Sequence, residues 1–319
     1  MKPGLLKKAI TLLNREKLTA DDLEKRLNST GEEIEQLLDV LQKNNYDLLM
    51  EANRDGARYY IRNTSNASSL VLSPKSNQQT HQKILLITDT HAGCKHFDKK
   101  GLENVLKEAK KEGVETAYFA GDAVDGRNVY RGQIEELKYI DESDQVDDLG
   151  DVFSSFPKLK IYCVRGNHDS SWDMLGAPSP LAMLAERVPN VVDMQSVKAN
   201  IVLDGILIQL VHGAGGVAYA ASYPAQKYLR NLAEQGTMEQ NVNGVNYPLK
   251  ILHLGHYHRQ ANFAVYGTHV FHAGSFQKAE SEYSIRRGFV SIRGGYVLDM
   301  DIKRGKILRL LSQWIDSGT

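Results

Sequence analysis

The stretch KILLITDTHAG, residues 83–93, decides the fold of the larger part of this 319-residue chain. It begins with a short continuous apolar run, as expected for a strand that is buried on both faces. An amphipathic helix ending at Gly113 follows, and then a second apolar run, TAYFA at residues 116–120. This strand–helix–strand unit favours a layered α/β fold. Further strand-like runs lie downstream: LKIYCV, GILIQLV, KILHLG, NFAVYG, HVFHAG, FVSIR and YVLDMD.

Five polar motifs occur where strand-like runs stop. In open α/β sheets, sites form at the carboxyl ends of strands, so five strand ends can bring these groups to one edge of the core. Each motif alone is a weak signal, but five in this order leave little room for coincidence. The motifs are Asp89-Thr90-His91, Gly121-Asp122-Ala123-Val124-Asp125, Gly166-Asn167-His168-Asp169, His212-Gly213 and Gly255-His256-Tyr257-His258.

The side chains of these motifs form a coherent ligand set. Carboxylates and imidazoles suit divalent transition ions such as Mn, Fe, Zn, Co or Ni. Two such ions about 3.5–4 Å apart can clamp the attacking and leaving oxygens of a displacement at phosphorus. They can also lower the pKa of a bridging water toward about 7, which creates a hydroxide nucleophile. The sequence therefore predicts a two-metal phosphoesterase.

The order of the motifs resembles that of the calcineurin-like metallophosphoesterases, over about residues 83–300. The resemblance implies an α/β fold, an αββα two-sheet sandwich, with two divalent transition-metal ions at the sheet edge, manganese being preferred. It implies that Asp89, His91, Asp122 and His258 hold the first ion, that Asp122 bridges, and that Asn167, His212 and His256 hold the second. By the same resemblance, His168 faces the phosphoryl group, Asp169 orients His168, and Asp125 hydrogen-bonds a ligand imidazole.

A longer match suggests the substrate. The stretch GDAVDGRNVYRGQIEEL, residues 121–137, is similar to the same region of the exonuclease (small) subunit of archaeal D-family DNA polymerase. This implies a phosphodiesterase or nuclease that acts on nucleic acid. Arg127, Arg131 and Arg165 lie beside the motifs and are candidate substrate contacts, because arginine suits bidentate phosphate binding.

One feature opposes a nucleic-acid substrate. Residues 133–151 contain eight acidic residues and one lysine, which would repel a long polyanion if they bordered the site. A phosphomonoesterase or small-nucleotide hydrolase therefore stays open as an alternative. A third possible function is that of a regulatory protein that docks through its N-terminal domain.

The chain divides into three parts by pattern. Residues 1–64 are predicted to form a winged-helix-like domain of three helices and a hairpin with strands at residues 46–51 and 57–62. The Ser/Asn/Gln-rich residues 65–82 are predicted to be a linker, and residues 83–319 the metallophosphoesterase catalytic domain.

The N-terminal domain gives conflicting signals about its partner. Its third helix is acidic, and residues 1–62 contain 11 basic and 11 acidic residues, which disfavours DNA because binding depends on phosphate neutralisation. Arg54, Arg58 and Arg62, on or beside the hairpin, favour DNA. Packing, dimerisation or docking of a protein partner stays open beside DNA binding.

Composition limits the remaining classes. Lysine plus arginine equals aspartate plus glutamate, 39 each, so a strongly basic nucleic-acid binder is not indicated, although a local basic groove is compatible with this count. The first residues do not resemble a signal peptide, and no 18-residue apolar stretch occurs, so we expect a cytoplasmic protein without a membrane partner. Cys94 and Cys163 lie near the motifs; a thiol ligand has to be considered, but two buried side chains in a reducing compartment are favoured.

Overall fold

The computed structural model describes residues 5–13, 16–43, 48–53, 56–61, 68–172, 178–216, 220–278 and 291–318. Clustering of contacts separates the chain into two compact units, residues 1–66 and 67–319. Each unit has its own hydrophobic core.

The N-terminal unit contains three helices and a three-stranded sheet, in which the strand Gly56–Ile61 lies between Leu18–Thr19 and Leu48–Asn53. Thr19 and Thr30 cap its second and third helices in reciprocal hydrogen bonds with Asp22 and Glu33, which explains where these helices begin. The winged-helix assignment stays a prediction, and Arg54 and Arg62 lie outside the described residues. The elements are α1 (Leu5–Leu13), β1 (Leu18–Thr19), α2 (Ala20–Leu27), α3 (Gly31–Lys43), β2 (Leu48–Asn53) and β3 (Gly56–Ile61).

The second unit consists of four helices and thirteen strands among the described residues. Two short 3₁₀ helices, Gln133–Glu135 and Asp169–Ser171, lie in its loops. Its elements are β4 (Ser68–Val71), β5 (Thr80–Ile87), α4 (Lys99–Lys111), β6 (Thr116–Phe119), α5 (Glu142–Ser154), β7 (Lys160–Cys163), α6 (Pro180–Arg187), β8 (Val191–Asp193), β9 (Lys198–Leu203), β10 (Ile206–His212), α7 (Tyr223–Glu234), β11 (Glu239–Val242), β12 (Val245–Gly255), β13 (Gln260–Val265), β14 (Thr268–Ala273), β15 (Gly294–Lys303) and β16 (Lys306–Asp316).

Most of the predicted linker, residues 65–82, belongs to the second unit instead. Strand β4 pairs in parallel with β9, and β5 begins at Thr80. The polar composition of this segment hides a short apolar run, in which Leu70 and Leu72 pack against the core between the sheets. Burial of these side chains turns a stretch that looks like a linker into an edge strand.

The second unit is built from two sheets packed face to face with helices outside, which confirms the αββα sandwich. One sheet has the order β16-β15-β5-β6-β7-β8, and the other β13-β14-β12-β10-β9-β4 with β11 beside β12. One core lies between the sheets, a second beneath α4, α5 and α6, and a third beneath α7.

The apolar run that starts this unit is continuous because both faces of β5 are covered. Leu85 and Ile87 pack toward the helices, whereas Ile84 and Leu86 pack toward the other sheet. Of the other predicted runs, residues 289–293 form no strand in their described part, residues 291–293; residues 289 and 290 lie outside the described residues.

Strand direction brings the polar motifs together. Strands β5, β6 and β7 run parallel in one sheet, and β10 and β12 run parallel in the other. Their carboxyl ends therefore carry the motif loops at one edge of the sandwich. The region described includes no helix that is long and apolar enough to span a membrane.

Phe153 tests the core beneath the outer helices. It is fully buried, with its ring edge-on to Phe119 at a centroid distance of 6.2 Å. Phe153→Ala is expected to lower the free energy of unfolding by about 3–5 kcal/mol through the lost contacts and the cavity. The exposed Tyr223→Ala is the control, expected to change it by about 0.5 kcal/mol or less.

Tryptophan fluorescence during urea unfolding measures this effect. Both tryptophans of the chain, Trp172 and Trp314, belong to the second unit, so their signal reports that unit alone. Equal stabilities of the Phe153 and Tyr223 variants would contradict the described core.

Candidate metal centre

The loops that carry the predicted metal ligands adopt a backbone conformation that residues other than glycine rarely take. Asp89, His91, Asp122, His256 and His258 have φ angles of 54°, 48°, 55°, 83° and 50°, all in the left-handed region. Such backbone costs about 1–3 kcal/mol per residue and concentrates at functional sites, where surrounding contacts enforce it. The turns after β5, β6 and β12 therefore aim their side chains at the sheet edge at a cost in stability.

Asp89, His91 and His258 form the first cluster of the predicted ligands. The Nε2 atoms of His91 and His258 are 3.0 Å apart, and Asp89 Oδ1 lies 3.3 Å from His258 Nε2 and 3.9 Å from His91 Nε2. The hydroxyl of Thr88 and the backbone N–H of His256 donate to the Asp89 carboxylate and fix its orientation.

Asp122, His212 and His256 form the second cluster, with Asn167 beside it. Asp122 Oδ2 lies 3.2 Å from His212 Nε2. Asn167 Oδ1 lies 3.1 Å from that nitrogen and 2.9 Å from His256 Nδ1. Gly166 is required beside these groups, because a Cβ there would lie 2.0 Å from Asp122 Oδ1.

Asp122 of the second cluster also lies close to the first cluster. The same Oδ2 atom that contacts His212 lies 3.8 Å from His91 Nε2 in the first cluster. Burial opposes the charge on Asp89 and Asp122, but the neighbouring histidines lower both pKa values, that of Asp89 to about 2 and that of Asp122 well below its usual range. Two buried carboxylates are thus ionised side by side, which requires nearby positive charge.

The hydrogen bonds of three histidine rings suit divalent metal ions as the source of this positive charge. His212 Nδ1 lies 2.7 Å from the Ala120 carbonyl, and His256 Nε2 lies 2.7 Å from the Gly215 carbonyl. A carbonyl only accepts, so these nitrogens carry the hydrogens. His91 Nδ1 donates likewise to Asp125 Oδ1 at 3.1 Å. In the neutral rings the opposite nitrogens carry the lone pairs and face the carboxylate and amide oxygens, so a divalent cation can replace the proton that His212 holds on Nε2.

His168 lies beside both clusters. Its backbone N–H donates to Asp122 Oδ1 at 2.8 Å, and its Nδ1 lies 2.6 Å from the Asp125 carbonyl. Its ring packs edge-on to His91 at a centroid distance of 4.4 Å. Burial disfavours a charged ring, but the carboxylates of Asp122 and Asp125 more than offset this and raise the pKa of His168.

The resemblance implied that Asp169 orients the His168 ring, but its carboxylate binds backbone N–H groups instead. Its Oδ1 accepts the backbone N–H groups of Ala123 and Val124, and its Oδ2 accepts that of Gly166. The carboxylate is fully buried between the loops that carry Asp122 and Asn167, and it ties one to the other. The Asp125 carbonyl takes the orienting role at His168.

The three candidate arginines differ in environment. Arg131 is exposed, and Arg127 and Arg165 are partly buried. Arg127 donates its backbone N–H to Ser171 Oγ, and its Nε is buried without a hydrogen-bond partner among the residues that the structure describes. The roles of all three in substrate binding stay predictions.

Some groups at the site carry no sequence signal. The Ala120 and Gly215 carbonyls act through the backbone, and Thr88 is an ordinary residue at a strand end. Gln133 lies in the longer motif match but was given no role; it contacts Asp125 directly. Both cysteines are buried and free, and within the described ranges neither belongs to a cluster of possible metal ligands.

Comparison with known proteins identifies the family of the chain. Residues 82–276 match the model of the calcineurin-like phosphoesterase family. The chain is 28% identical over 162 residues to the DNA polymerase II small subunit of Halobacterium salinarum, covering 48% of this chain and 31% of that protein. It is 25% identical over 230 residues to the protein of the same name from Methanothermobacter thermautotrophicus, covering 61% and 47%.

The chain thus spans less than half the length of these curated relatives. Among solved structures, it is similar to an archaeal phosphodiesterase with a TM-score of 0.38 and 16% identity, over 73% of this chain and 100% of that one. Since the family match covers most of the chain, this protein belongs to the calcineurin-like phosphoesterases, which are metal-dependent phosphoester hydrolases.

Metal binding is expected to weaken as the pH falls. Burial opposes charge on His212, yet Asp122 raises the pKa of this ring to about 9, so a bound ion has to displace its proton near neutral pH. Burial lowers the pKa of His256 to about 4, so that ring adds no proton. The Kd for Mn²⁺ should rise about tenfold for each unit of pH lost below the His212 pKa.

Isothermal titration calorimetry at pH 6, 7 and 8 measures this dependence. Repeating each titration in buffers of different ionisation enthalpy counts the displaced protons. A Kd that is independent of pH would contradict proton displacement from His212.

Asp169→Asn tests the loop-tying role of Asp169. The amide cannot accept all three backbone N–H groups, so we expect a lower melting temperature, from about 1–3 kcal/mol of lost stability, and a higher Kd for Mn²⁺. The exposed Asp141→Asn serves as the control. An unchanged melting temperature and Kd with a shifted pH–rate profile would instead assign Asp169 to His168.

Proposed function

We propose that this chain is a dinuclear-metal-dependent phosphodiesterase that hydrolyses nucleic-acid phosphodiester bonds. The observation that carries the proposal is the position of Asp122, whose Oδ2 atom faces His212 in one ligand cluster and His91 in the other. A carboxylate shared in this way is what two adjacent cations require of a bridging ligand. Manganese is the proposed metal, because mixed oxygen and imidazole ligands suit it.

The residues that would hold the two ions determine how the site could act on a phosphodiester. Two divalent ions, when bound, supply Lewis acidity at the phosphoryl oxygens and a water molecule of lowered pKa. Asp89, His91 and His258 would hold one ion, and Asn167, His212 and His256 would hold the other. A phosphodiester would then bind at the edge where the strands end.

His168 is proposed to act on the phosphoryl group itself. Its Nδ1–H donates a hydrogen bond to the Asp125 carbonyl, so Nε2 is the nitrogen available to the substrate. The carboxylates of Asp122 and Asp125 raise the pKa of this ring and so favour a hydrogen on Nε2, which could be donated to a phosphoryl oxygen and then to the leaving oxygen. Arg127, with its unpartnered Nε, is the favoured additional phosphate contact.

Two observations support a nucleic-acid substrate. The curated relatives are DNA polymerase subunits by name, and residues 121–137 match that type of subunit in motif. The acidic segment also opposes a polyanion less than its sequence indicates. Lys99 pairs with Asp148 and Asp151, and Arg187 pairs with Asp147, so part of its charge is neutralised.

The N-terminal unit is proposed to dock a protein partner or a second copy of the chain. The relatives are named small subunits, and the first turn of α3 contains Glu32 and Glu33, which disfavours phosphate contacts. The two free, buried cysteines support a reducing, cytoplasmic location.

A substrate series tests the proposed activity. Purified protein with Mn²⁺ is incubated with labelled single- and double-stranded DNA and RNA, bis-p-nitrophenyl phosphate and p-nitrophenyl phosphate. We expect Mn²⁺-dependent cleavage of the diesters. His168→Ala should lower kcat by about 10²–10⁴-fold, the usual contribution of general acid catalysis, while it still binds Mn²⁺.

Asp122→Asn is the paired variant, expected to lose both Mn²⁺ binding and hydrolysis. Turnover of the monoester alone would refute the phosphodiesterase and favour the phosphomonoesterase. Cleavage of bis-p-nitrophenyl phosphate without cleavage of any nucleic acid would refute the proposed substrate class.

A further inference from the structure

The loop after β6 depends on one residue, Asp125, for several contacts. Its carboxylate Oδ1 lies 3.1 Å from His91 Nδ1, and its carbonyl oxygen lies 2.6 Å from His168 Nδ1. Its backbone N–H donates to the Ala92 carbonyl at 2.8 Å. A small rotation of Asp125 would therefore disturb both a metal ligand and the residue proposed to face the phosphate.

Gln133 holds Asp125 in this orientation. Its side chain is 1% exposed, and its Nε2 donates to the Asp125 carbonyl at 2.7 Å and to Asp125 Oδ2 at 3.0 Å. Its Oε1 accepts the backbone N–H of Val129 at 2.8 Å. One donor on its own loop fixes the oxygen end of the amide, so both amide hydrogens are directed at Asp125.

The amide suits this position because it is neutral and donates twice. With Oδ2 and the carbonyl bonded to Gln133, Asp125 presents Oδ1 to His91. This keeps the hydrogen of His91 on Nδ1 and its lone pair on Nε2, which points at Asp89 and His258. Such contacts behind metal ligands typically change metal affinity by about 10–100-fold.

We propose that Gln133 is a positioning residue of the metal centre, which orients the metal ligand His91 and the phosphoryl-facing His168 together through Asp125. The proposal rests on the dinuclear site proposed above. It assigns a role to the glutamine of the 121–137 match, where the turn from Asp125 to the 3₁₀ helix Gln133–Glu135 folds the chain back onto the ligand loop.

A second buried glutamine, Gln145 in α5, bonds the turn next to Asp125 and provides the matched control. Gln145 accepts the Gly126 backbone N–H and donates to the carbonyls of Gly126 and Tyr139. It is fully buried and fixes the neighbouring residue of the same turn, but it bonds only backbone atoms there. A change at Gln145 therefore disturbs the packing of the turn without removing a bond to the Asp125 carboxylate.

The test compares Gln133→Met and Gln133→Glu with Gln145→Met and Gln145→Glu in the full-length protein. Methionine keeps the size and removes the donor; glutamate keeps the shape and places a negative charge against Asp125. Calorimetric titration with Mn²⁺ is expected to show a Kd raised about 10–100-fold for the Gln133 variants, and changed less than about threefold for the Gln145 variants. With Mn²⁺ saturating, kcat on bis-p-nitrophenyl phosphate should fall while KM stays constant.

Several results would overturn the proposal. Gln133 would be only a packing residue if a folded Gln133 variant kept the wild-type Mn²⁺ affinity and kcat. The same conclusion would follow if the Gln133 and Gln145 variants lost equal Mn²⁺ affinity and kcat. A measurement on the wild type decides the matter if the variants do not fold. Both side-chain amide hydrogens of Gln133 should exchange with solvent far more slowly than those of the exposed Gln235. Equal exchange rates would contradict the hydrogen bonds from Gln133 to Asp125.

The calorimetric result does not depend on catalysis. If the wild type bound Mn²⁺ but cleaved no phosphodiester, the proposed function would fail, while the difference between Gln133 and Gln145 would still test the positioning role. If the wild type cleaved diesters and the Gln133 variants bound Mn²⁺ normally, only the positioning role would fail.

Discussion

The site depends on the Asp122 carboxylate, which is buried, ionised and in contact with ligands from both sheets. A charge in this position is tolerated only if cations and hydrogen bonds surround it. The fold supplies both. Three parallel strand ends in one sheet and two in the other meet at a single edge, and the backbone N–H of His168 satisfies the second carboxylate oxygen. The sandwich architecture thus brings the candidate metal ligands together at this edge.

Much of the precision of the site comes from backbone atoms rather than from side chains. Carbonyl oxygens determine which nitrogens of His212, His256 and His168 carry hydrogens. Asp169 spans two ligand loops by accepting backbone N–H groups from both. Five of the candidate ligands, Asp89, His91, Asp122, His256 and His258, have an unfavourable left-handed backbone, which the fold maintains at a local cost in stability.

The strand–helix–strand pattern predicted a layered α/β fold, and the resemblance to the calcineurin-like metallophosphoesterases implied the two-sheet sandwich. The ligand candidates could be expected at one edge because their motifs follow the strand-like runs. The sequence predicted β5 as a buried strand, and both faces of that strand are indeed covered. It did not predict β4, β9 or β16, whose strands are recognisable only through their partners in the sheets. Nor did it predict that Asp169 binds backbone N–H groups, since the number of donors around a carboxylate depends on how two distant loops meet. The role of Gln133 was likewise hidden, because an isolated glutamine in an acidic segment has no pattern of its own.

The most direct test of the dinuclear site is anomalous X-ray diffraction at the manganese absorption edge from crystals of the Mn²⁺-loaded protein. Two anomalous peaks are expected about 3.5–4 Å apart, the separation of two-metal sites, with the Asp122 carboxylate between them. One peak should lie among Asp89, His91 and His258, and the other beside Asn167. A single peak, or two peaks that share no contact with Asp122, would contradict the proposed dinuclear site.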